Sequence, residues 1–307
     1  MEPRPGRTCP LSYRYARGAF AGAPALHADT LWIAGGLYGN RYALQALLEA
    51  FDAEPGEKAL VFNGDFHWFD AQAAEFELID EAVAGFHAIR GNVETEIASP
   101  AEGAGCGCGY PDWVGEQTVD WSNRIMDRLR AAALDSGRDL RRLAALPMTL
   151  VAEVGGERIG IVHGDAESLA GWKFSQEMLS TPDGIGDAER ALMRSGVRMF
   201  ASSHTCLPVL KTFPGGHAIV NNGAAGMPNF RGERYGIATR ISTRRGSGAL
   251  YGARCGTLFV EAMPIAYDAQ AWEKRFLELW PAGTEAHRSY YGRIAGGPDY
   301  PVSAAAA

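Results

Sequence analysis

The sequence lacks the features that would direct it to a membrane, to nucleic acid or to a secreted disulfide scaffold. No apolar run approaches the roughly 20 residues that a bilayer-spanning helix needs, which argues against a helical membrane protein. No lysine-rich block interrupts a chain whose formal net charge is −7. An extended phosphate-tracking surface for DNA or RNA is therefore not expected, and only a local anion pocket remains open. The five cysteines are odd in number and scattered as Cys9, Cys106, Cys108, Cys206 and Cys255, unlike a disulfide framework. The opening residues, Met1-Glu-Pro-Arg-Pro-Gly6, have no apolar stretch of the secretory kind, so a reduced, cytoplasmic compartment is expected. Internal repeats and clear linkers are missing as well. So is G-x-G-x-x-G after the first strand, since Gly35-Gly36-Leu-Tyr-Gly39-Asn40 has the wrong spacing for dinucleotide binding.

What remains is an ordinary globular composition, 47% hydrophobic and 21% charged. Residues 1–28 are rich in Pro, Gly, Ala and Arg, with a Tyr13/Tyr15 alternation that suggests an edge strand. Thr30–Ala34 reads as a buried strand. Ala43, Leu44, Leu47, Leu48 and Phe51 then fall at helical spacing. A strand from Ala59, a helix over 70–84 and a strand over 86–90 complete a strand–helix–strand–helix–strand run, the pattern of a parallel sheet with helices outside. Residues 93–147 break that rhythm and read as a helical insertion over the strand ends. A β-hairpin over 149–163, a helix over 188–195, further strands to about 267 and a closing helix over 269–279 follow. The tail after 281 reads as irregular. The expectation is one α/β domain over 1–307 with its core at about 30–265.

Four strand ends finish in metal-binding residue types: Gly64-Asp65, Gly91-Asn92, His163-Gly164-Asp165 and His204-Thr205-Cys206. Each has an ordinary explanation alone. Asp65 could cap a helix, Asn92 could serve a turn, and single histidines are usually structural. Taken together, their oxygen and imidazole donors suit Mn, Fe or Zn.

That order of motifs resembles the calcineurin-like metallophosphoesterases over roughly residues 30–265, including Asn221-Asn222-Gly223-Ala224. The resemblance implies a two-layer β-sandwich flanked by helices, with the active site at the strand ends. It also implies hydrolysis of a small phosphorylated substrate by metal-activated water. In the family the motifs run D-x-H, G-D, G-N, H and G-H-x-H, and two metals share the G-D aspartate. Here Gly36-Leu37-Tyr38 stands in place of D-x-H, and Cys206 in place of the last histidine. The three departures, Gly36, Tyr38 and Cys206, are the ligands private to the family's first metal. Asp65, Asn92, His163 and His204 match the four ligands of the second. The expectation is a site for one divalent transition metal, with the other half vacated or remodelled. Asp65, Asn92, His163 and Asp165 are the expected catalytic residues, Asp165 by orienting His163 or delivering a proton. Asn40, Arg41, His67 and Arg90 are candidate phosphate contacts. Val93 replaces a candidate general acid, leaving Glu94 and Asp165 as nearby carboxylates. A soft site joining Cys206 to Cys106 or Cys108 is an alternative for the remodelled half. The rival reading is a degenerate member that binds a phosphorylated ligand or nucleotide without turnover.

Overall fold

The computed structural model describes residues 4–306. Residues 1–3 and 307, the ends of the expected 1–307 domain and the first part of the Met1–Gly6 stretch, lie outside the described residues. Thr30–Ala34 is buried along its whole length, so both of its faces must be covered. Side chains alternate across a strand. Leu31 and Ile33 accordingly join one apolar cluster, and Trp32 and Ala34 join another on the opposite face.

This strand, β2, belongs to a six-stranded sheet in the order β11 (Tyr251–Cys255), β12 (Leu258–Ile265), β10 (Gly236–Ser242), β2, β3 (Lys58–Asn63), β4 (His87–Ile89). β2, β3 and β4 pair in parallel and β10–β12 are antiparallel. A second six-stranded sheet runs β1 (Leu26–Ala28), β5 (Thr149–Val154), β6 (Glu157–Val162), β7 (Met199–Ser202), β9 (His217–Asn221), β8 (Val209–Phe213). Between the sheets lies one shared cluster that includes Leu31, Ile33 and Val61 from the first, and Ala152, Ile161, Met199 and Val220 from the second. The two-layer sandwich implied by the resemblance is thus the observed architecture.

Helices cover the outer faces. α1 (Arg41–Asp52), α2 (Ala73–Val83), α4 (Glu116–Asp135) and α8 (Ala269–Leu279) share one apolar cluster with Trp32, Leu60 and Phe62, α4 reaching it through α2 and residues 92–98. α6 (Gln176–Leu179) and α7 (Pro182–Ser195) cover Phe200 and Ile219. The 93–147 stretch is helical, built from α3 (Asn92–Ala98), α4 and α5 (Arg141–Ala145). α2 starts three residues later than the sequence pattern suggests. Asp70 is occupied elsewhere, bonding Trp68 N–H and the His67 ring.

Two expectations fail at the ends of the chain. Leu11–Tyr13 is a short 3-10 turn, and Arg14 makes a lone bridge to Ser168, so the Tyr13/Tyr15 alternation is not an edge strand. The edge strand is β1, which adds to β5. The tail after 281 is not irregular: it forms α9 (Glu285–Gly296) and α10 (Val302–Ala305). α9 buries Ala286 and Ile294 in the cluster that includes Trp32 and Ala34, which holds it to the body of the protein. Among the described residues no helix is long and apolar enough to cross a membrane.

Candidate metal centre

The loops leaving β2, β3, β4, β6 and β7 gather at one end of the sandwich, where the carboxyl ends of parallel strands open a crevice. Their close stacking explains the glycines in the motifs. A Cβ on Gly64 would come within 2.5 Å of Gly91 N and 2.6 Å of His163 Nδ1, and Gly64 has φ +75°. A Cβ on Gly91 would strike the Asp65 carboxylate.

Asp65, His163 and His204 each present a ligand atom to a common point, all within 4.8 Å of one another. His163 Nε2 lies 3.3 Å from Asp65 Oδ2, 3.2 Å from Asn92 Oδ1 and 3.3 Å from His204 Nδ1. All four residues are buried. Each is turned into place by a partner of its own, the arrangement metal ligands usually show. Val93 N–H donates to Asp65 Oδ1, and Asn92 Nδ2 donates to the Cys106 carbonyl. His163 Nδ1 donates to the Asn63 carbonyl and His204 Nε2 to the Cys108 carbonyl.

These outer bonds fix the chemistry. A carbonyl can only accept, so the bonded nitrogen in each ring carries the hydrogen. In the neutral rings, His163 Nε2 and His204 Nδ1 then aim lone pairs at one another, beside a carboxylate oxygen and an amide oxygen. Four acceptors with no donor among them call for a cation. A proton can serve in part. Burial alone would depress His163, but the Asp65 carboxylate beside it holds it above its ordinary pKa. Asp65 resists its own burial because His163 and then His204 favour its ionised form. Burial and the neighbouring His163 depress His204 to about 4. One proton leaves the second imidazole and the amide oxygen unanswered. A divalent ion of the Mn, Fe or Zn type would accept all four, so the donor set fits such a group.

The three departures from the resemblance form a unit of their own. A Cβ on Gly36 would run into the Tyr38 ring, and the Tyr38 hydroxyl sits 2.8 Å from Cys206 Sγ. Burial, and then the neighbouring Cys206 and Asp65, hold the Tyr38 phenol well above its usual pKa and therefore neutral. A neutral tyrosine–cysteine plug thus fills the space beside Asp65. No cysteine joins the ligand cluster among the described residues, which counts against the soft-site alternative. Tyr38, Asp65 and Cys206 are also the only non-glycine residues with positive φ (56°, 53° and 63°) among the described residues. Such strain costs about 1–3 kcal/mol per residue and tends to collect at functional sites.

Beside this cluster opens a pocket of about 150 Å³, lined by Asp65, Asn92, His204, Trp68, Tyr290 and Arg293 among others. Several expected contacts do not reach it. Asn40 caps α1 by accepting from Tyr42 and Ala43 N–H, and donates to the Gly226 carbonyl. Arg41 lies over the Tyr42 ring and 3.7 Å from Glu75. His67 stacks on Phe76 at 4.0 Å and bonds Asp70 at 2.5 Å. Arg90 turns to the Ala144 carbonyl of α5. Asp165 neither touches His163 nor faces the pocket: its carboxylate accepts from Glu167, Ser168 and Lys173 N–H and closes its own loop. In each case the side chain is consumed by local hydrogen bonding or packing.

Other contributors were not legible as such. The Cys106-Gly107-Cys108 loop supplies two orienting carbonyls, and α9 supplies Tyr290 and Arg293. Thr284 before α9 and Gly297 after it are the boundary signals that mark this helix. Glu94, a nearby carboxylate in the sequence, accepts from Asp65, Phe66, His67 and Gly91 N–H at 2.8–3.3 Å. Burial and the nearby Asp65 push its pKa up, and those four donors favour the charged form. Glu94→Ala would strand four buried N–H groups, each worth about 1–3 kcal/mol. With partial relaxation, a loss of about 4 kcal/mol and a fall in Tm of roughly 6 °C are expected by calorimetry.

A family model described as calcineurin-like phosphoesterase matches residues 26–208, more than half of the chain. No curated protein matches the sequence. Among solved structures, a metallophosphoesterase from Sphaerobacter thermophilus is similar at 16% identity and a TM-score of 0.56, with 88% of this chain and 100% of that chain covered. A hypothetical protein from Pyrococcus horikoshii OT3 is similar at 17% identity and the same TM-score, covering 88% and 99%. At these identities the two structures speak for the fold alone.

Proposed function

We propose that this chain, which belongs to the calcineurin-like phosphoesterase family, hydrolyses a small phosphate ester using one divalent transition metal where the family uses two. The convergence of Asp65, Asn92, His163 and His204 on one point carries this reading. Held by these four residues, such an ion would supply a hydroxide nucleophile at neutral pH and would offset negative charge on the phosphoryl group.

The chain's own residues do the rest. Asp65 keeps its carboxylate ionised between two histidines, and the Asn63, Cys106 and Cys108 carbonyls hold the other donors in register. Trp68, Tyr110, Trp172 and Tyr290 wall the pocket and limit water. At about 150 Å³ it falls below the roughly 300–1,000 Å³ of ordinary ligand pockets. That size suits a phosphoryl group with a small or outward-pointing remainder. The Tyr38–Cys206 plug supports one ion over two, because it fills the room beside Asp65 with neutral side chains. The lack of a paired cysteine fits a reducing compartment, and we place the protein in the cytoplasm on that ground.

No proton donor occupies the Val93 position, and Val93 is itself buried. Leaving-group departure should therefore go without general-acid help, a contribution typically worth about 10²–10⁴-fold. Aryl phosphates should be cleaved roughly 10²-fold or more faster than alkyl phosphates of similar size, assayed with Mn, Fe, Zn, Co and Ni in turn. Absence of turnover with every metal and ester class would remove the enzymatic reading. Phosphate binding without turnover would then favour a ligand-binding role.

A further inference from the structure

A single ion leaves part of the charge on a phosphoryl group unanswered, and the pocket holds one fixed cation that the functional reading has not used. Arg293 projects from α9, beyond the stretch matched by the family model. Its Nε donates to the Pro228 carbonyl at 2.8 Å and its Nη2 to the Cys206 carbonyl at 2.9 Å. Those two bonds hold the guanidinium at the pocket wall, in a lining it shares with Asn92 and His204. Among the described residues no carboxylate pairs with Arg293 and Nη1 has no acceptor. A part-buried guanidinium without a counter-ion is suited to an anion, since its fork of donors matches phosphate oxygens.

Its position gives a second reason. Arg293 grips the residue whose thiol touches the Tyr38 hydroxyl at 2.8 Å. It therefore touches the plug through the Cys206 backbone and lines the same pocket as Asp65. Positive charge that a second ion would provide is available there in protein form.

We propose that Arg293 is a phosphate-binding residue, donating to a non-bridging phosphoryl oxygen and standing in for the charge of a second metal. α9 then completes the site. This assignment rests on the phosphoesterase reading of the pocket, but it makes a claim about anion binding that can be tested without turnover.

The test is calorimetric titration of inorganic phosphate into the full-length wild type, Arg293→Met and Arg293→Lys. Each is measured loaded with Mn and again after chelation, with metal content determined alongside. Arg293→Met keeps the apolar stem and removes the charge. It should weaken phosphate binding roughly tenfold or more in both states at unchanged metal content, with Arg293→Lys falling between. Phosphate affinity in Arg293→Met within about twofold of wild type, or no phosphate binding by wild type in either state, would overturn the assignment. If Arg293→Met does not fold, Arg293→Lys decides. Recovery of Tm with phosphate still held several-fold more weakly upholds a direct contact. Recovery of both to wild-type values reduces Arg293 to a structural tie and overturns it. A wild type that holds no metal, yet loses phosphate binding on Arg293→Met after chelation, would defeat the single-metal reading and leave this one standing.

Discussion

Asp65→Asn should reduce turnover roughly 10³-fold, about 4 kcal/mol of transition-state stabilisation, while leaving the fold in place. Asparagine is among the residues that tolerate the left-handed region, which Asp65 occupies at φ 53°. Its side-chain oxygen can still accept from Val93 N–H. What it cannot supply is the negative charge that His163 Nε2 faces at 3.3 Å. Without that charge His163 loses the influence holding its pKa up, and the cluster becomes four neutral donors. Metal content measured by elemental analysis should fall in parallel with turnover, at a Tm within a few degrees of the metal-free wild type. Loss of turnover at full metal content would instead make Asp65 a group acting on substrate only.

The second large effect concerns the plug. Gly36→Asp alone is expected to lower stability by about 1–3 kcal/mol through overpacking, because the new side chain meets the Tyr38 ring. It should add no metal. Changing all three positions together, Gly36→Asp with Tyr38→His and Cys206→His, clears the ring and supplies an oxygen and two imidazoles. Histidine is enriched at positive φ, so the strained backbone at 38 and 206 is compatible with it. The triple variant should bind two ions per chain and turn over faster, roughly 10²-fold, the usual worth of one added charge stabiliser at a transition state. Elemental analysis and steady-state kinetics read both outcomes. A triple variant that folds but still holds one ion would show that something other than these three residues empties that half.

The four converging donors were legible in the sequence because each stands within three residues of a strand's end, which fixes its place. The inner strands were legible for a similar reason: their apolar runs demand cover on both faces. Direction of side chains was not legible. Asn40, His67, Arg90 and Asp165 have the right chemistry at nearby positions, but an N-cap, a ring stack, a carbonyl on α5 and a loop closure claim them. The partners that orient the donors were hidden for a different reason. They are the Val93 N–H and the backbone carbonyls of Asn63, Cys106 and Cys108, and a backbone group leaves no trace in residue identity. α9 was missed because few of its residues are buried; Ala286 and Ile294 are a weak apolar stripe. Its contribution to the pocket depends on Tyr290 and Arg293, which the sequence alone reads as part of an irregular tail.

One ion beside a plugged half-site is a statement about metal stoichiometry, which can be measured directly. Elemental analysis of the full-length protein, loaded with Mn, Fe or Zn and freed of excess, should return one ion per chain. Anomalous diffraction should place it among Asp65, Asn92, His163 and His204. Two ions per chain, separated by about 3.5–4 Å as in two-metal sites with Asp65 between them, would contradict it.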